Sequence, residues 1–548
     1  MPPVFPDFAP TIPGVLEAGL HRYAERECVV TPEARLTFAD LESRSRVLAG
    51  RLLRAGVGKG SRVGVLFPNS IDWVVAFAAA ARLGAIVAPV NTFYKTPELA
   101  NFMRHADIQY VIGVGSFIQH DYIERLESIA PSLSQHQGDG PLSVSELPHL
   151  RRVLLSDESD RSWAEALFTG NEGRFDDLVR AMGDDVHPGE PLVVTYTSGS
   201  TGEPKGVVHS HGGVIRHARN LAALSNIDST SRIWTPMPLC WVGGFAYSLL
   251  RAIVVGGCFL TQEVFEPGAA LRMMEKERVT NVAGWPAVSK AISEHPDFPS
   301  ADLSSLRGAA SFYDGMPPGR RPPDPGLNVS SLGMSETCGP HTFWRGNEEI
   351  DGVPEAYRGA FGHAVPGVEH RIVDPDTGED LPAGQEGEVC VRGYSLMLGL
   401  YKKERQEVFD SEGWYHTGDR GYFRDGWFFY TGRQTEMIKT SGSNVAPSEV
   451  ERSLLGVNGV KLAFVVGVAH PERGQDVTAL LVPRMGASLD TESIRQELRS
   501  ELSSYKVPRQ LFVISEEEVP WLVSQKVDRR ALLTMAEKLA SSAVRSDG

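Results

Sequence analysis

The stretch Tyr196-Thr197-Ser198-Gly199-Ser200-Thr201-Gly202-Glu203-Pro204-Lys205-Gly206-Val207 decides how the rest of this chain is read. It follows Pro191-Leu192-Val193-Val194-Thr195, an apolar, β-branched run that reads as a buried strand. Glycines permit tight turns at positive φ, and the N–H groups of such turns converge on an anion. The hydroxyls of Thr197, Ser198, Ser200 and Thr201 add donors, and Lys205 adds a point charge. The residue order of a Walker loop is absent, so the segment predicts a phosphate loop of another kind. A hydroxyl-rich surface loop is the plainer alternative. The strand in front and Pro-Lys-Gly behind favour the phosphate loop.

Working outward, apolar runs alternate with helical spacing through most of the chain. Residues 62–67 read as a strand, 72–83 as a helix, 85–90 as a second strand and 110–114 as a third. This β-α-β rhythm predicts an α/β domain whose mostly parallel sheets are covered by helices. The long apolar stretch from Trp73 to Val90 is interrupted by Arg82 and Gly84, which predicts a buried helix and strand, not a membrane span. Residues 132–141 and 317–325 read as surface connections. Residues 421–430 predict a hairpin turning at Asp425-Gly426. A small α+β unit follows, with strands at 463–468 and 477–482 and a helix capped by Asp490 that buries Ile494, Leu498 and Leu502. The expected division is 1–433 and 434–548.

Composition narrows the function. The chain has 548 residues, 42% apolar and 22% charged, with a formal net charge of −15. That balance argues against a nucleic-acid binder, which needs excess cations to displace counterions. The five cysteines are scattered without a CxxC pair and predict buried, reduced thiols. Met1-Pro2-Pro3-Val4-Phe5-Pro6 has no basic or apolar leader pattern, so the expected location is the cytoplasm, with no integral membrane segment.

Residues 196–207 resemble the first signature of the adenylate-forming superfamily, which includes acyl-CoA synthetases, nonribosomal peptide adenylation domains and beetle luciferases. The resemblance spans nearly the whole chain and points to the acyl-CoA synthetase and fatty-acid–CoA ligase branch. It implies a large N-terminal domain of mostly parallel sheets with a small β-barrel-like part, and a small mobile α+β C-terminal domain. Gly308-Ala309-Ala310 is similar to the segment lying along adenine. Ser331-Leu332-Gly333-Met334-Ser335-Glu336-Thr337 resembles the Tyr-Gly-Met-Thr-Glu signature. By that likeness Leu332, Gly333 and Met334 border adenine, Ser335 meets the α-phosphate and Glu336 holds Mg²⁺, a hard cation suited to oxygen ligands. Leu332 stands where the family usually has a stacking aromatic ring.

Tyr415-His416-Thr417-Gly418-Asp419 resembles the motif whose Asp accepts from both ribose hydroxyls, and Gly432-Arg433 the motif whose Arg reaches the nucleotide. Pro238-Leu239-Cys240-Trp241-Val242-Gly243-Gly244-Phe245 resembles the motif lining the acyl pocket, with Trp285 as a further wall. Thr435 falls at the hinge, usually a charged position, and Ser441-Gly442 lies in the loop that lines the pantetheine tunnel. Lys526 falls in the C-terminal catalytic-lysine motif, with Gln525 where members usually have Gly.

The resemblance therefore implies ATP, Mg²⁺ and coenzyme A as reactants and cofactor. Thr197, Glu336 and Lys526 carry the catalysis in this reading. A small carboxylic acid attacks the α-phosphorus of ATP, pyrophosphate leaves, and the acyl group passes to coenzyme A. No cationic residue is placed to recognise an α-amino acid, so an apolar acid is expected. A homodimer stays open. The alternatives are a stand-alone adenylating enzyme with another acceptor, and a nucleotide-binding pseudoenzyme.

Overall fold

A computed structural model describes residues 2–157, 159–168, 175–198, 204–284, 286–307, 331–344, 354–357, 359–375, 377–433, 438–445, 447–520 and 527–546. The chain forms two compact units. The first comprises Met1–Thr92, Met103–Tyr196 and Gly206–Gly432; the second comprises Phe93–Phe102, Thr197–Lys205 and Arg433–Gly548.

An eight-stranded sheet runs in the order Gly399–Leu400, Pro204–Ser210, Pro191–Ser198, Ile86–Pro89, Arg62–Leu66, Tyr110–Gly113, Arg152–Leu155, Ala164–Ala166. From Pro191–Ser198 onward every pairing is parallel, with Val63 opposite Val87 and Ile112 opposite Leu154. Helix Ile71–Ala81 is buried almost all round, as a helix in an α/β core must be, and Ser70 caps it by accepting from Trp73 N. Its Trp73 and Phe77 rings stack at 5.2 Å. The long apolar stretch of the sequence is thus one buried helix followed by one buried strand. Among the described residues no helix is long and apolar enough to cross a membrane.

A five-stranded sheet orders Asn281–Val282, Arg232–Trp234, Cys258–Leu260, Glu27–Val30 and Arg35–Thr37, parallel except for the last pairing. The third sheet is antiparallel and has seven strands: Leu332–Met334, Gly339–Phe343, His363–Ala364, Trp427–Arg433, Tyr415–Arg424, Gly387–Gly393 and Val368–Val373. The expected hairpin is there, turning through Asp425 (φ 52°) and Gly426 (φ 81°), the left-handed pair that matches strand twist. All five cysteines lie in this first unit and are buried.

In the second unit strands Val460–His470 and Gly474–Pro483 pair along their length and outrun the segments expected from sequence. Gln510–Val513 adds in parallel to Gly474–Pro483. Asp490 caps helix Thr491–Glu501, which buries Ile494 and Leu498, and Leu502 follows buried at its end. Residues 132–141 are not wholly irregular, since Pro131–Gln135 makes a 3-10 turn over the buried Leu133.

Candidate active site

Strand Leu332–Met334 reverses through Ser335–Thr337 into strand Gly339–Phe343. The reversal is tight enough to need Cys338 at φ 59° and Gly339 at φ 114°. At Gly333 a Cβ would come 2.6 Å from Gly339 backbone, so only glycine fits that register. The turn is held from three sides. Met397 N donates to Glu336 O at 2.8 Å, Tyr415 Oη donates to Glu336 Oε1 at 3.2 Å, and His209 Nε2 donates to Ser335 O at 2.6 Å. Burial holds His209 down to about 4, so the ring is neutral and carries its proton on the bonded nitrogen. Ser335 and Glu336 are half-buried and accessible. Leu332 is turned inward, packing with Leu221, Leu224 and Phe343.

Asp419 is 2% exposed within strand Tyr415–Arg424. Cys390 pairs with His416 and Glu388 with Arg420, so Thr417, Gly418 and Asp419 stand opposite the single Val389. Such a bulge leaves ladder groups unpaired. Here Glu388 Oε1 accepts from Gly418 N at 3.1 Å and Oε2 from His416 Nδ1 at 2.9 Å, while Thr417 Oγ1 donates to Val389 O at 2.7 Å and accepts from Asp419 N at 3.0 Å. Glu388, Cys390 and His416 are the described group compact enough to hold a metal ion. However, burial pushes the Cys390 thiol up to about 12, and a thiol at that value is a poor metal ligand.

Trp241, Val242, Gly243 and Gly244 open a helical stretch in which a Cβ on Gly244 would meet Pro238 O at 2.1 Å. At Gly243 the obstacle would be the Met237 Sδ, 3.0 Å away, a side chain that can move. The stretch continues as a π-helix, Phe245–Leu250, closed by Ser248 Oγ donating to Gly243 O at 2.8 Å. π-helical segments are frequent at functional sites. A Cβ placed on Gly339 would lie 3.9 Å from Val242 Cγ1, so this motif borders the Ser335–Thr337 turn.

Thr197 and Ser198 end strand Pro191–Ser198, and Lys205 lies in strand Pro204–Ser210. Behind them Gly206 has no room for a Cβ, which would meet Tyr401 Cβ at 2.9 Å and Tyr196 Oη at 3.0 Å. Ser441 (φ 49°) and Gly442 (φ 80°) form the two-residue turn joining Ile438–Thr440 to Ser443–Val445, and both are exposed. Arg433 closes strand Trp427–Arg433. Gly199, Ser200, Thr201, Gly202, Trp285, Gly308, Ala309, Ala310, Thr435 and Lys526 lie outside the described residues.

The first unit thus brings Ser335, Glu336, Asp419 and the Trp241–Gly244 motif onto one framework. Sequence reading missed Glu388, His209 and Tyr415 as their supports. Tyr415 opens the Tyr415–Asp419 motif, which carries no sign of its bond to Glu336, and neither Glu388 nor His209 falls in a recognisable pattern.

This is the framework of an adenylate-forming enzyme. The chain belongs to the AMP-binding enzyme family, whose profile matches residues 16–401; that of the AMP-binding enzyme C-terminal domain matches 449–522. It is 29% identical over 545 residues to the putative acyl-CoA synthetase YngI of Bacillus subtilis, covering 95% of this chain and 96% of that one. It is 28% identical over 550 residues to the mitochondrial medium-chain acyl-CoA ligase ACSF2 of Danio rerio, covering 96% and 88%. Among solved structures it resembles the amide bond synthetase McbA of Marinactinospora thermotolerans, with a TM-score of 0.78, 27% identity and coverage of 96% and 99%.

Proposed function

We propose that this protein is an acyl-CoA synthetase: it activates an apolar carboxylic acid with ATP to the acyl-adenylate, releases pyrophosphate, and passes the acyl group to coenzyme A. The observation that supports this reading is the approach of Val242 to Gly339, which brings the Trp241–Gly244 motif beside the Ser335-Glu336 turn. The acyl-CoA ligases among its relatives support the thiol acceptor.

In this reading Asp419, fixed by the bulge, accepts from the ribose hydroxyls, and Arg433 reaches the same nucleotide. Ser335 meets the α-phosphate, and the loop from Thr197 to Lys205 receives the pyrophosphate. The half-buried Glu336 carboxylate suits a magnesium ion, which when bound neutralises phosphate charge. Lys526 offsets the charge that develops as the carboxylate attacks phosphorus, the electrostatic work that dominates such reactions. Residues 1–433 and 434–548 act as the two domains, with Thr435 as the hinge and Ser441-Gly442 on the thiol path.

A second reading rests on the likeness to an amide bond synthetase: the adenylate could be handed to an amine. Pyrophosphate release from Mg-ATP across a panel of acids, with coenzyme A, with an amine and with neither, separates the two. Acid-dependent release yielding a thioester is the expected result. Amide without thioester would establish the second reading, and ATP binding without release on any acid would make the protein a nucleotide binder only.

A further inference from the structure

Among residues 241–250 only Trp241, Gly243 and Tyr247 keep partial exposure; every neighbour is buried. The buried Val242 beside them borders the turn at Gly339, and the Tyr247 ring meets Phe343, on the strand returning from the turn, edge-on at 6.4 Å. Four residues beyond Tyr247 stands the buried Arg251, whose guanidinium Cζ lies 3.9 Å from the Tyr247 ring centroid.

Three arginines are buried among the described residues. Arg51 pairs with Glu165 and Arg82 with Glu42, each at 2.7 Å. Arg251, 4% exposed, pairs with no carboxylate among the described residues. Its Nη1 donates to Ser225 Oγ at 3.1 Å, a hydroxyl that itself donates to Leu221 O at 2.6 Å. Its Nε is buried with no partner among the described residues, as are those of Arg51 and Arg82, so the missing carboxylate is what sets Arg251 apart. A guanidinium stays charged at any ordinary pH and offers five donors in a planar fork that matches a carboxylate. Stacking on Tyr247 offsets part of the cost of burying that charge, but one neutral hydroxyl is no counter-ion and leaves Nε unpaired.

We infer that Arg251 sets the specificity of the cleft, which takes an acid whose apolar body ends in a second carboxylate. This rests on the reading of the cleft as the acyl site. Gly243 and Arg251 are eight positions apart, on the order of 10 Å along a helix, so an apolar body of about that length spans the motif from its Gly243 end to Arg251. The terminal carboxylate supplies the counter-ion that Arg251 lacks among the described residues. A monoacid of the same length leaves the fork unpaired, the kind of mismatch that discriminates substrates strongly.

The test compares straight-chain monoacids with α,ω-diacids of equal length, following pyrophosphate release from Mg-ATP. The wild type is expected to favour the diacid at least about tenfold in kcat/KM. Arg251→Met is expected to raise KM for the diacid about a hundredfold and to turn the preference toward the monoacid, with Arg251→Lys retaining part of the wild-type preference. Arg251→Gln keeps a donor for Ser225, and its thermal midpoint separates loss of recognition from loss of fold. Equal or better use of the monoacid by the wild type overturns the inference, as does a preference unchanged in both the Met and Gln variants. Release with no acid at all would instead refute the acyl-CoA reading of the cleft, and this inference with it.

Discussion

Glu388 is the residue whose substitution reports most directly on the proposed nucleotide end of the site. It serves the Thr417–Asp419 bulge as a cap serves a helix end, accepting from Gly418 N and His416 Nδ1. Glu388→Gln keeps the shape but gives up one acceptor oxygen. We expect a loss of about 1–2 kcal/mol in unfolding free energy, and a rise in KM for ATP larger than the fall in kcat. An unchanged KM for ATP would separate the bulge from nucleotide binding. This residue could not be read from the sequence because its partner lies 30 positions away, across a strand pairing that no local pattern encodes. Glu336 and Asp419 were readable because their motifs are continuous in the chain. Leu332 was half-readable: the missing ring was plain, but that the leucine turns into the core beside Phe343 was not.

Elements fared by how local their determinants are. Strand Pro191–Ser198, the Asp425-Gly426 hairpin and the Asp490-capped helix were visible in periodicity, cap and turn chemistry, which act over a few residues. The π-helical turn at Phe245–Leu250 was not, because a one-residue change of helical pitch leaves hydrophobic spacing nearly intact. Nor was the placement of Phe93–Phe102, a segment flanked on both sides by the first unit yet clustered with the second. There Lys506 is buried between Glu98 at 2.9 Å and Glu449 at 2.8 Å, and Ser503 Oγ donates to Glu98 as well. Burial alone would lower the Lys506 pKa, but Tyr505, Glu98 and Glu449 outweigh it and raise it, keeping the ammonium charged. Lys506→Met should cost the second unit about 3–5 kcal/mol, because it strands two carboxylates. Adding Glu98→Gln should recover part of that. Urea unfolding of the single and double variants checks both, and a double variant no more stable than the single would discount the ion cluster.

For the molecule as a whole, buried histidines set the response to acid. Burial holds His209, His211, His217 and His370 down to about 4, 4, 3 and 4, from an ordinary value of 6.5. Above pH 6.5 neither the folded nor the unfolded chain protonates them, and stability is unaffected. As pH falls from 6.5 toward 4 the unfolded chain binds protons that the folded chain refuses, so stability drops by up to about 1.4 kcal/mol per pH unit for each ring. The thermal midpoint should therefore fall steeply across that window, and His217→Asn should make the fall shallower; a flat midpoint from pH 6.5 to 4.5 would contradict the burial. On activity, Lys526→Ala should slow adenylate formation about a hundredfold or more while sparing thioester formation from supplied acyl-adenylate. Equal losses in both half-reactions would remove the lysine from its proposed role. The placement of the cysteines also has a practical use. All five are buried in the first unit, and the second unit contains none. Burial pushes Cys240, Cys258 and Cys338 up to about 12, as it does Cys390, so alkylating reagents find no thiolate on the folded surface. Thiol labelling is then a clock for opening of the first unit alone, and a cysteine engineered into the second would be a solitary attachment point for a fluorophore.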